Sequence, residues 1–154
     1  MNYFPLLKLA HLVLYFFIAA QGAFYLLGFY KVLSGIPSHD FILLRKAADP
    51  VLAPHLKILY ILTLLVSLLI LATHFRAFPV STLVLLSAAM LLLGIDIFVA
   101  LRVSEPLNKV ITSISEPFTN AASIHRNWLR QIYLRAFFSV GGFILLLLAY
   151  LRNI

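Results

Sequence analysis

The chain is 154 residues long, 63% hydrophobic and only 11% charged, with a mean hydropathy of +1.03 and a formal net charge of +7. A soluble domain carries about a quarter charged residues, and disorder needs low hydrophobicity with high charge, so both are excluded. What remains is a single integral membrane domain over 1–154. With no cysteine there is no disulfide, thiolate nucleophile, iron–sulfur cluster or cysteine zinc site.

Crossing ~30 Å of hydrocarbon at ~1.5 Å per residue takes about 20 apolar residues. Four segments qualify, at about 9–30, 50–73, 81–101 and 132–151. The predicted fold is all-α: a four-helix transmembrane bundle with two short amphipathic interfacial helices on the cytoplasmic side. The first apolar run has Lys8 before it and Ala19-Ala20 within it, like a secretory signal, but it continues through Gly22 to Leu27, too long for one. Gln21 lies mid-membrane there, where an unpaired amide is expensive, and should face the bundle interior. Ala19, Gly22, Ser87, Ala88, Gly141 and Gly142 should let helices approach closely.

Between spans one and two, Pro37-Ser38 reads as a helix start, with Phe41, Leu44 and Ala48 on one face. Asp49-Pro50 should end that piece and begin span two. A tight turn around 76–79 follows. Asp96, in span three, lies six residues before Arg102, about 9 Å inside the boundary. A lone carboxylate there costs ~2.5–3.5 kcal/mol, and Arg135 is available at similar depth. The pair either fixes helix register only, or Asp96 handles protons or binds substrate.

Ser104-Glu105-Pro106 should start a second surface helix that Pro117 stops, with Val110, Ile111, Ile114 and Phe118 as its apolar stripe. Both short helices are expected to pack at the interface or to cover a pocket. His125, Trp128, Gln131 and Arg135 fall close to one face of the last helix. Turned inward, they would line that pocket with Gln21 and Asp96; Trp128 alone could instead be a headgroup-level belt residue. The ligand-binding candidates are therefore Gln21, Asp96, Trp128 and Arg135.

Four spans put both termini on one side. That side holds three basic residues, Lys8, Arg76 and Arg152, against nine at the other end. The basic-rich side should be cytoplasmic, placing both termini outside the plasma (inner) membrane. Anionic headgroups are the expected counterions, and nucleic acid is not an expected partner. No metal site or cofactor is expected. The one alternative is haem between His11 and His74, which begin span one and end span two and should meet at matching depth.

The stretch from Asp96 to Arg135, with Ser104-Glu105-Pro106-Leu107-Asn108-Lys109, Arg126-Asn127-Trp128 and Arg135, resembles the small four-span proteins of the anthrone oxygenase-like family. That pattern has a Pro-x-Asn after the third span, then a Trp and an Arg leading into the fourth. Gln21-Gly22 and Leu33-Ser34-Gly35-Ile36-Pro37 resemble it more loosely. Many members have no assigned activity. The resemblance implies cofactor-independent oxidation of a reduced polycyclic aromatic by O₂, with Asn108, His125, Trp128 and Arg135 as catalytic candidates. The chain departs from the pattern in lacking a second tryptophan near Asn108.

Three functions follow as expectations. The first is a pocket in the cytoplasmic half that binds, and in the family's manner oxidises, a hydrophobic aromatic or quinone-like molecule. The second is a non-enzymatic accessory or structural subunit of a larger membrane complex, or of a homo-oligomer. The third is a small proton-coupled transporter using Asp96.

Overall fold

Pro5 stands in the first turn of α1 (Phe4–Phe24), where its missing N–H leaves no helix carbonyl unpaired. The computed structural model describes residues 3–152. α1 passes through a π-helical turn, Tyr25–Phe29, into α2 (Tyr30–Gly35). Gly28, at φ 148°, provides the bend, in a conformation strained for any L side chain. α3 (Ser38–His74) follows, then one 3₁₀ turn, Phe75–Ala77, and α4 (Val80–Val99). A second π-helical turn, Ala100–Ser104, joins α4 to α5 (Glu105–Ser113), and α6 (Ala121–Leu151) closes the bundle.

Counted with their continuations, the four helical runs are 32, 40, 34 and 31 residues long, each with a window averaging 1.9 or more in hydropathy. Their outward faces carry exposed Leu6, Phe16, Phe17, Leu65, Leu91 and Phe98, a surface suited to lipid and not to water. The chain is an all-α membrane protein built as a four-helix bundle.

Phe4 stacks on His74 at 3.8 Å, and the Lys8 ammonium lies 5.4 Å from the Tyr150 ring. The start of α1, the 75–77 turn and the end of α6 therefore meet at one level, the terminal end. All runs exceed the length a bilayer needs, so the surplus lies at the opposite, loop end. Two hydrophobic clusters reflect this division. One, around Tyr15, Ile18, Ile70, Leu93 and Leu146, fills the bundle toward the terminal end. The other, around Tyr25, Phe41, Ile111, Trp128 and Leu129, fills the loop end.

Two of the glycines expected to admit close packing do so. A Cβ at Gly22 would overlap the Ser139 hydroxyl and lie 3.1 Å from the Ala136 backbone, so α1 and α6 touch there. A Cβ at Gly142 would overlap Tyr15, whose hydroxyl donates to the Ala89 carbonyl at 3.0 Å. Ser87, by contrast, is exposed on α4.

Three local expectations change. The helix expected to end at Asp49-Pro50 is continuous with span two, and Pro50 and Pro54 both lie inside α3. Each proline removes one helical hydrogen bond without breaking the run. Asp49 does not cap a new helix, because its carboxylate is taken by Arg45 one turn earlier. The second interfacial helix, α5, exists, but it ends at Ser113 rather than at Pro117, with Ile114 already extended. Of the two short helices, only α5 is thus an element of its own, and it continues span three through a π-helical turn.

Candidate functional site

Asp96 is fully buried on α4, and its Oδ1 accepts a hydrogen bond from Arg135 Nε of α6 at 2.6 Å. Its Oδ2 accepts from the Tyr60 hydroxyl of α3 at 2.5 Å. Arg135 spends its other two nitrogens as well: Nη2 donates to Tyr60 Oη at 3.0 Å and Nη1 to Ser104 Oγ at 3.2 Å. Ser104 in turn donates to the Gln131 side-chain oxygen. The proton count closes. Tyr60 gives its hydrogen to Asp96 and accepts from Arg135; Ser104 accepts from Arg135 and gives to Gln131. The charges cancel and both carboxylate oxygens are satisfied, which is what lets an ion pair persist in low dielectric.

The π-helical turn Ala100–Ser104 helps build this arrangement. In an uninterrupted α-helix, residues eight apart are offset by about 80° around the axis. One extra residue in the turn takes that offset back, so Asp96 and Ser104 both reach Arg135. Such single-turn π bulges recur at functional sites.

Next to this cluster, toward the loop end, lies an aromatic one. Trp128 is 2% exposed and donates its indole N–H to Asn108 Oδ1 at 3.1 Å. It is an interior residue and does not sit in a headgroup belt. The Arg45 guanidinium lies over its ring at 4.3 Å, with Phe41 against it at 5.3 Å and Tyr25 at 6.1 Å. Arg45 is paired with Asp49, and both are largely buried. Arg45 Nε and Asp49 Oδ2 have no hydrogen-bond partner among the described residues.

His125 stacks on Phe41 at 4.0 Å. Its Nε2 is 3.0 Å from the Leu33 carbonyl and its Nδ1 is 3.2 Å from the Ser38 hydroxyl. A carbonyl only accepts, so Nε2 carries the hydrogen and Nδ1 accepts from Ser38. The imidazole is tied at both nitrogens and anchors α2 and α3 to α6.

The predicted stripe is therefore real: His125, Trp128, Gln131 and Arg135 all turn inward, while Arg126 and Arg130 are exposed. Gln21 does not join them. It is half-buried, and its amide has no hydrogen bond to any described residue of the cluster. Tyr60 and Ser104 are members that sequence reasoning missed. Tyr60 lay in an apolar run, its phenol the one hint of a buried partner. In the sequence Ser104 reads as a helix start. The Arg45–Asp49 pair had a usable signal in its i,i+4 spacing.

The two histidines considered for haem do not face each other at one depth. His11 bonds Tyr150 Oη through Nδ1 and Ser67 Oγ through Nε2, both at 2.7 Å. His74 lies seven residues beyond Ser67, about 10 Å along α3, stacked on Phe4. With both His11 nitrogens engaged, the pair does not fit axial ligation of one iron. Among the described residues no group of three or more His, Cys, Asp and Glu side chains is placed to hold a metal ion.

Comparison of the chain with protein-family models, with curated proteins and with solved structures gives no match.

Proposed function

We propose that this protein binds the polar head of a hydrophobic aromatic or quinone-like molecule at the Asp96–Arg135–Tyr60 cluster. The observation that carries the reading is the placement of a charged, fully hydrogen-bonded group at the boundary between two apolar clusters. Exchanging a buried ion pair for apolar residues of similar size is often neutral or stabilising, so the charges call for a reason beyond bracing. Tyr60 is the exchangeable member. Its hydroxyl bridges Asp96 and Arg135, and a ligand hydroxyl can do the same, donating to the carboxylate and accepting from the guanidinium. A ligand carbonyl would take only the Arg135 half. Trp128, Tyr25 and Phe41, on the loop side, supply aromatic surface for a ring. The resemblance to the anthrone oxygenase-like family supports the same ligand class.

In this reading the protein lies in the plasma (inner) membrane with both termini outside. Arg45 and Arg135 are paired internally and drop from the basic count, yet seven against three still favours a cytoplasmic loop end. A C-terminal reporter should be active only outside; activity only inside would reverse the orientation.

Trp128 is the chain's single tryptophan, so its emission reports on this region alone. In lipid vesicles a short-chain benzoquinone should quench it saturably, and its hydroquinone should compete. Quenching that rises linearly, as for an indole peptide dissolved in the same lipid, would refute ligand binding. A stoichiometric protein partner on purification would then favour the accessory-subunit reading.

A further inference from the structure

In the terminal half of the bundle, away from the Asp96 cluster, His11 is 4% exposed, between Tyr150 of α6 and Ser67 of α3. Counting hydrogens fixes its tautomer. Ser67 has one hydroxyl hydrogen, which goes to the Thr63 carbonyl at 2.7 Å. Toward His11 it can only accept, so Nε2 bears the proton. Nδ1 of a neutral ring then accepts from the Tyr150 hydroxyl. The bonds run in one direction: Tyr150 to His11, His11 to Ser67, Ser67 to Thr63.

The same geometry accepts a second proton at little structural cost. With Nδ1 protonated, Ser67 keeps its role, and only the Tyr150 hydroxyl must rotate so that its lone pair faces the ring. The new bond is charge-assisted and stronger than the one it replaces. Beside the ring a void of about 10 Å³, room for one water, touches His11, Tyr15 and Ser67.

The other groups around the ring matter for how long a proton stays. α1 brings Lys8, whose ammonium lies over the Tyr150 ring, and Tyr15, whose hydrogen is given to Ala89. α3 brings the Ser67 and Thr63 hydroxyls, and α4 brings apolar Leu86, Ala89 and Met90. No carboxylate is among these described residues. An added charge gains two hydrogen bonds but no counterion, so it is held reversibly and not trapped as an ion pair. We infer that His11 is a proton-binding site inside the membrane, its second proton held at Nδ1 against the Tyr150 hydroxyl while Nε2 stays bonded to Ser67.

The test uses the full chain in lipid bilayers with ¹⁵N-labelled histidine, read by solid-state NMR, with His11→Gln assigning the resonances. At neutral pH His11 should be the Nε2–H tautomer, and on acidification it should become doubly protonated with the fold intact. Tyr150→Phe keeps the ring and removes the hydroxyl that bonds it in both states, so proton affinity should fall by up to roughly tenfold, the excess of the charge-assisted bond over the neutral one. Lys8→Gln removes a neighbouring positive charge without disturbing the interior, and should raise the affinity. An Nδ1–H tautomer at neutral pH, or a ring that stays neutral until the fold is lost, would overturn the inference. So would a titration that neither substitution moves.

Discussion

Arg135 Nε of α6 meets Asp96 Oδ1 of α4 at 2.6 Å, and the Tyr60 hydroxyl of α3 closes the triangle by bonding both residues. Three of the four membrane runs are thus tied at a single level, where the cluster filling the terminal half gives way to the one filling the loop end. The tie is electrostatic, so its strength depends on both charges being present together.

That dependence sets the first expectation. Asp96→Asn leaves the Arg135 charge without its partner, and Arg135→Gln strands the carboxylate. Each should cost about 3–5 kcal/mol in a reversible detergent-unfolding assay. The double variant should recover part of the loss, as coupled neighbours do. Strictly additive losses would mean that the two side chains do not interact.

Tyr60→Phe is the milder probe. It removes no charge but leaves one carboxylate oxygen and one guanidinium nitrogen each short of a partner. The expected loss is about 1–3 kcal/mol. In the benzoquinone assay the hydroquinone should compete more strongly against this variant, because its hydroxyl then has no phenol to displace. Unchanged competition would place the ligand elsewhere.

The four spans, their order and the inward stripe of the last helix could be read from the sequence, because apolar length and helical periodicity are local properties. The Asp96–Arg135 pair was legible for a related reason: two opposite charges at similar depth in hydrocarbon must meet. Tyr60 and Ser104 were not, since their roles depend on which helices are neighbours and on a π-helical turn that rotates Ser104 by one residue. The continuity of α3 is not legible in the sequence because prolines disfavour helix locally, whereas Phe41 and Ile42 pack into the loop-end cluster and the helix runs on through Pro50 and Pro54.

Neighbouring glycines offer a controlled comparison. Gly142→Ala must push Tyr15 aside and threatens its bond to Ala89, so a loss of about 1–3 kcal/mol is expected. Gly141→Ala meets only the Leu92 side chain at 3.5 Å, an ordinary contact, and should be neutral or slightly stabilising through helix propensity. Equal effects in a thermal unfolding scan would contradict the α1–α4–α6 packing described here.

Trp128 should emit at short wavelength and resist acrylamide, as a buried indole does and an interfacial one does not. Asn108→Leu leaves its N–H without an acceptor, and about 1–3 kcal/mol of stability should go with it. Ready acrylamide quenching in the wild-type protein would return Trp128 to the membrane surface.

The central claim is that the charged cluster exists to bind a ligand, and not only to hold the helices together. Asp96→Leu combined with Arg135→Met replaces the pair by apolar side chains, an exchange that is commonly neutral or stabilising in buried positions. Saturable benzoquinone quenching of Trp128, measured in this variant beside the wild type at matched stability, separates the two roles. The account predicts a folded protein at least as stable as the wild type whose saturable quenching is lost. A stable variant that still binds the quinone with wild-type affinity would contradict it.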